Sequence, residues 1–165
     1  MFSKFRSLIF KIDPEIAHNL AIKSLKFNFV TNIFDQNKND PMFQTTLFGK
    51  KIDNPIGMAA GFDKNAEVYN PLFRLGFGFV EVGTVTPLKQ FGNPKPRVFR
   101  LEEDQALINR LGFNSFGTND VDSTIRSNPP NGLLGVNIGP NKDTKDKLND
   151  YLICLETFHD IADYI

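Results

Sequence analysis

Three short runs of β-forming residues, each followed by a helical pattern, constrain this chain more than any other feature. Strand–helix alternation of this kind argues for a parallel sheet joined by right-handed crossovers. The first run, about 55–60, belongs to the stretch Asn54-Pro-Ile-Gly-Met-Ala-Ala-Gly-Phe-Asp-Lys64. Ile56, Met58 and Ala59-Ala60 suit a strand covered on both faces. Gly57 and Gly61 let the backbone approach a flat ligand. A short helical stretch near 65–75 follows, weakened by Pro71 and ended by Gly76. The second strand is Gly78–Thr84, with a modest helix at about 118–127; the third is Leu133–Gly139. The clearest helix carries Leu148, Tyr151, Leu152, Leu155, Phe158, Ile161 and Ala162 at helical spacing. Ahead of them, Thr45–Phe48, Gly49-Lys50 and Lys51-Ile52 read as a small hairpin.

Three central strands with two open edges would leave apolar faces and unpaired backbone exposed. Tyr164-Ile165 reads as the opening of a fourth strand, so the chain is expected to be the first part of a larger closed barrel, which needs about 250 residues. Of 165 residues, 41% are hydrophobic, ample for a core, and the 19 basic and 19 acidic residues cancel. A balanced charge offers no field to attract nucleic acid. The single Cys154 excludes an internal disulfide framework. On the outer layer of helices it is a packing thiol, and His159 on the same helix a surface histidine. No apolar run reaches the roughly 18–20 residues of a membrane-spanning helix.

The first 40 residues read as a separate annex, with the main domain over 41–165. Phe2, Phe5, Leu8, Ile9 and Ile12 share one helical face, and Lys4, Arg6 and Lys11 lie off it. That pattern fits a helix lying in a lipid interface, or one packed on the main domain, which the sequence alone favours somewhat. Asp13-Pro14-Glu15 starts a second helix with an N-cap, a first-position proline and a first-turn acid. Its expected apolar face is Ile16, Leu20, Ala21 and Leu25, with His18 beside it. The aromatic run Phe27–Val30 with Ile33-Phe34 extends the annex, and polar Asp35–Asp40 reads as the linker.

Lys64, Thr84 and Asn137 fall at the C-terminal ends of successive strands, the rim where such sheets place their chemistry. A connection of about 30 residues, Val85–Gly117, is long enough to be functional. In it, Val98–Leu101 and Ala106–Ile108 are expected to pair across the acidic turn Glu102-Glu103-Asp104. Asn109 and Asn114, flanking a Gly-Phe step, either offer donors and acceptors to a planar polar molecule or satisfy turn backbone. A lysine and asparagines with no acid among them suit an anionic, carbonyl-rich ligand.

The series Asn54–Lys64, Glu81-Val-Gly-Thr-Val-Thr-Pro87, Gly92-Asn-Pro-Lys-Pro-Arg-Val-Phe-Arg-Leu101, Asn109-Arg-Leu-Gly-Phe-Asn114 and Asn137-Ile-Gly resembles dihydroorotate dehydrogenase. The annex with Asp13-Pro-Glu-Ile-Ala-His18 is similar to the class 2, quinone-dependent branch. This resemblance implies an α/β protein, the N-terminal part of an FMN-binding (β/α)8 TIM barrel preceded by a two-helix annex and cut near the fourth strand. It implies oxidation of dihydroorotate to orotate in pyrimidine (UMP) biosynthesis, with FMN as redox carrier and a membrane quinone as acceptor. The matching flavin positions are Ala60, Gly61, Phe62, Asp63, Lys64, Thr84 and Asn137. The orotate positions are Lys64, Asn109, Arg110, Leu111, Gly112 and Phe113; the quinone positions are His18 and Arg100. The resemblance implies no metal. Pro140 stands where some members carry a lysine.

The family's catalytic serine follows the fourth strand, beyond Ile165, so no catalytic residue is expected within the chain and the chain alone is expected to be inactive. Location at the cytoplasmic face of a bacterial inner membrane, with the N-terminal helices on lipid, is implied as well. Two other readings stand beside this one. One is a flavin-binding or membrane-docking half-barrel without enzymatic function, and the other is a soluble class 1 enzyme with an unrelated helix pair.

Overall fold

The computed structural model describes residues 9–27 and 40–165. The predicted helix over 2–12 falls largely outside them, as do Asn28–Val30, Ile33-Phe34 and most of the expected linker. The first described helix, α1 (Pro14–Leu25), begins as its sequence demands, with the Asp13 carboxylate accepting from the amides of Glu15 (2.9 Å) and Ile16 (3.0 Å). A 3-10 turn at Pro41–Phe43 leads into the predicted hairpin, β1 (Thr45–Leu47) against β2 (Lys50–Ile52).

The central sheet is parallel, in the order β3 (Gly57–Met58), β4 (Phe79–Val85), β7 (Leu133–Ile138). The first strand is only two residues long where 55–60 was expected. Pro55 has no amide to donate, and after Met58 the chain turns. It stays tied to β4 through single bonds, Gly61 N to Gly83 O (2.9 Å) and Gly83 N to Asp63 O (3.0 Å). Tyr164 continues the sheet by a parallel bridge to Gly135, with Val136 N donating to Tyr164 O at 3.1 Å. The expected opening of a fourth strand is therefore present as backbone pairing.

Helix α2 (Tyr69–Arg74) is shorter than the predicted 65–75, because Ala66 takes a φ of +57° and breaks the run before it. Pro71 lies in its first turn, where an amide has no intrahelical partner to lose. Helix α3 (Thr118–Ser127) matches its expected bounds, and α4 spans Lys147–Phe158. Val80, Val82, Leu134 and Val136 form the middle of the core, between Leu72, Val121, Ile125 and Phe158 of the helices. Ile22 and Leu25 of α1 join the same cluster, so α1 packs on the main body.

Two expected helical faces are corrected. In α1, Ile16 and Leu20 point to solvent, and the inward positions are Glu15, His18, Ile22 and Leu25. In α4, Leu148, Tyr151, Leu152 and Leu155 are exposed, whereas Asp150, Cys154 and Phe158 are buried. In each helix a polar anchor fixes the rotation. Glu15 is held by Arg97, and the Asp150 carboxylate accepts from Asn141 N (2.8 Å) and the Thr144 hydroxyl (3.3 Å). Ile161 and Ala162 lie past the end of α4 yet still pack on the core.

Candidate functional site

The connection between β4 and α3 folds as the sequence suggests, into an antiparallel hairpin of β5 (Val98–Leu101) and β6 (Ala106–Asn109). Two cavities lie beside it. A rim cavity of about 460 Å³ lies between the β3 turn, Thr84 and the 109–114 segment. A second cavity of about 500 Å³ lies between α1, the 61–67 turn and the hairpin. Gly61, Lys64, Leu111 and Asn114 line both, so they form a common wall.

Lys64 is the charged member of that wall. Burial, then the nearby positive Arg97, pull its ammonium below the ordinary lysine range, against the opposing charge of Glu15. Beside it Gly61 has a φ of +105°, a region that favours glycine. A Cβ there would meet only the lysine ammonium, at 4.0 Å, so the wall is flat and open.

Thr84 lines the rim cavity and donates through Oγ1 to Asn137 Oδ1 at 2.6 Å. Asn137 stands behind it and donates from Nδ2 to Glu81 Oε1 at 3.3 Å; the Tyr164 hydroxyl donates to the other Glu81 oxygen at 2.9 Å. No acid lines the rim cavity itself, and Glu81 buttresses Asn137 from within the sheet. Alternation along β4 separates Glu81 from core-facing Val80 and Val82, and that was the available signal.

Of the two asparagines near the Gly-Phe step, Asn109 serves its turn, accepting weakly from Leu111 N at 3.4 Å. Asn114 does not, because its Oδ1 is buried without a hydrogen-bond partner. Arg110 donates to Pro96 O at 3.0 Å, and Gly112 and Phe113 carry φ of +73° and +52°. All of Asn109, Arg110, Leu111, Gly112 and Phe113 line the rim cavity. Asn93, to which no role was given, lines it too and bonds to Arg110 O at 2.8 Å.

His18 and Arg100 line the α1-side cavity together. The His18 ring meets Phe62 edge-on with centroids 5.3 Å apart. Burial, then Lys64, hold its imidazole below the ordinary histidine range, against Glu15 and Glu67. Arg100 donates to the carbonyls of Phe10 (3.1 Å) and Ile12 (2.7 Å), with its guanidinium 4.7 Å over the Phe10 ring. Phe62 faces this cavity rather than the rim. Asp63 lines neither, because its buried carboxylate accepts from the amides of Glu67 and Val68, both at 2.7 Å. No described helix is long and apolar enough to cross a membrane, and the described residues hold no metal-ligating cluster.

The profile of the family described as Dihydroorotate dehydrogenase matches residues 42–165. A relative from Bartonella tribocorum, named Dihydroorotate dehydrogenase (quinone), is 53% identical over 161 residues, covering 96% of this chain and 43% of that protein. One of the same name from Bartonella henselae is 52% identical over 159 residues, with 96% and 43% covered. Among solved structures, ligand-free DHODH from Eimeria tenella superposes with a TM-score of 0.85 and 41% identity over 92% of this chain and 44% of that one. The same enzyme in complex with ferulenol gives 0.81 and 40%, over 92% and 42%. The chain spans about 43% of the length of these curated relatives. The chain belongs to the dihydroorotate dehydrogenase family, in its class 2 branch.

Proposed function

We propose that the protein carrying this chain oxidises dihydroorotate to orotate, in the making of pyrimidine nucleotides, and passes the electrons through FMN to a membrane quinone. The observation that carries this reading is the common wall of two cavities around Lys64. One opens among amide and cationic side chains, and the other opens against α1. The sheet and its helices would be the first part of a (β/α)8 barrel, with residues up to about 40 as its annex.

The residues present fit a flavin. The flat glycine wall at Gly61, the Lys64 ammonium and the orphaned Asn114 Oδ1 suit a planar ring edged with carbonyls and N–H groups. Ala60, Gly61, Lys64 and Thr84 would hold it, with Asn137 bracing Thr84. Bound FMN supplies the hydride acceptor. Lys64 would hold the carboxylate of the substrate anion, and Asn109 with the Arg110–Phe113 backbone would orient its ring against the flavin. The side chains lining the rim cavity include no carboxylate, imidazole or thiol. They would bind and orient the substrate.

On the other side, His18 and Arg100 would receive the quinone head. Ile12, Ile16, Leu20 and Phe27 are exposed on the outer side of α1 and beyond its ends, and would meet the lipid surface that brings a quinone to this mouth.

The test is anaerobic stopped-flow with the purified protein that carries this chain. Dihydroorotate is expected to bleach the flavin absorbance, and a short-tail quinone to restore it. A flavin that dihydroorotate leaves oxidised would overturn the reading. Removal of residues 1–34 is expected to slow restoration by quinone far more than bleaching by dihydroorotate.

A further inference from the structure

Arg97 lines neither cavity, yet it is bonded to the walls of both. Its side chain is buried at 7% exposure. Nε and Nη2 donate to the two carboxylate oxygens of Glu15, at 3.2 and 2.6 Å. Nη1 turns the other way, to the carbonyls of Phe91 (2.6 Å) and Asn93 (3.0 Å), with Leu111 O at 3.5 Å. Its own carbonyl accepts from Arg110 N at 2.8 Å.

These partners fall into two groups. Glu15 is the inward residue of the first turn of α1 and lines the α1-side cavity. Asn93 and Arg110 line the rim cavity, and Leu111 belongs to the wall common to both. Gly92 is shaped to the arrangement, because a Cβ there would come within 2.8 Å of Arg97 Nη1 and overlap Leu111 O. A planar five-donor fork can serve a carboxylate on one edge and carbonyls on the other at once, which a lysine ammonium cannot do in fixed geometry. Lys95, 3.4 Å from Glu15 and mostly exposed, adds charge without that geometry.

We infer that Arg97 is a positioning residue that clamps the first turn of α1 to the rim loops through Glu15, fixing where the electron-accepting ligand sits relative to the Lys64 wall. The inference rests on the reading of the two cavities given above. Its signature is asymmetry. Glu15 touches only the α1 side of the clamp, whereas Arg97 touches both.

The experiment uses the complete protein with Glu15→Gln, Arg97→Lys and the double variant. Two activity readouts are flavin reduction by dihydroorotate and steady-state turnover with a short-tail quinone. Hydrogen exchange of the α1 amides and the denaturation midpoint are read alongside. Glu15→Gln is expected to raise the quinone KM about five- to tenfold, the size of one lost charge-assisted bond, with flavin reduction within about twofold. Arg97→Lys is expected to raise the same KM and also slow flavin reduction. The double variant should raise the quinone KM no further than Arg97→Lys alone, since both break one link. Exchange of the α1 amides should quicken in all three.

Equal loss of both half-reactions in Glu15→Gln, tracking a lowered midpoint, would show a merely structural pair and overturn the inference. So would an unchanged quinone KM. If the wild type fails to bleach with dihydroorotate, the functional reading falls. Unchanged α1 exchange in Glu15→Gln would then overturn the clamp, and quickened exchange would uphold it.

Discussion

Thr84 donates to Asn137 at 2.6 Å although plain strand alternation puts the two on opposite faces of the sheet. Gly83 pairs with Asn137 and Val85 with Ile138, so Thr84 is the extra residue of a bulge. The bulge re-aims it from the side of Val80 and Val82 to the side of Glu81 and Asn137. Gly83 permits this with a φ of +109°, at a point where a Cβ would overlap the Asn137 carbonyl oxygen.

Thr84→Val keeps the shape and removes the hydroxyl, leaving Asn137 Oδ1 without its donor. The expected cost is about 1–2 kcal/mol of stability, read from denaturant midpoints, together with weaker flavin retention on gel filtration. A variant as stable and as yellow as the parent would show that the bond is incidental.

Lys64→Ala is expected to slow flavin reduction by dihydroorotate on the order of a hundredfold, because an unanchored substrate loses its alignment. Stopped-flow absorbance measures this directly. An unchanged rate would remove Lys64 from the substrate side of the wall.

The alkaline limit of substrate binding should lie below the ordinary lysine range. In the proposed role the Lys64 ammonium would hold the substrate anion only while protonated, and burial with Arg97 nearby lowers the pH at which the proton leaves. Binding is therefore full at low and neutral pH and weakens as pH rises through that lowered value. The dihydroorotate KM across pH 7–10 reads it, and Lys64→Arg should carry the limit to higher pH.

Asp63→Asn should cost about 2 kcal/mol in chemical denaturation. Its two oxygens accept from two successive backbone amides, and an amide side chain can accept at only one of those places. Loss of flavin without loss of stability would instead return Asp63 to the ligand side.

Cys154 should resist alkylation in the folded protein and react fully in denaturant. It is completely buried, and burial pushes its thiol up to about 11.

Much of this was legible because it is local. The helix start at Asp13-Pro14-Glu15, the turn at Gly49, and the strands around Val82 and Val136 follow from caps, glycines and β-branched runs. The clustering of Lys64, Thr84 and Asn109–Phe113 followed from strand-end positions and from the resemblance of their motifs. What escaped was pairing at a distance. Glu15 reads as a helix-start acid, and nothing near it announces Arg97, 82 residues away. The buried faces of α1 and α4 differ from their apolar patterns for the same reason. An apolar count ranks Leu20 and Leu152 inward, whereas Arg97 and Asn141 decide which way each helix is turned.

Two rooms that share a wall need not share a door. A molecule seated against α1, near His18, would reach Lys64 from one side while another would reach it from the rim. On the proposed reading neither would have to leave for the other to arrive. Compounds shaped for the α1 side should therefore act on this protein without competing with whatever occupies the rim, and raising the concentration of the rim ligand should not chase them out.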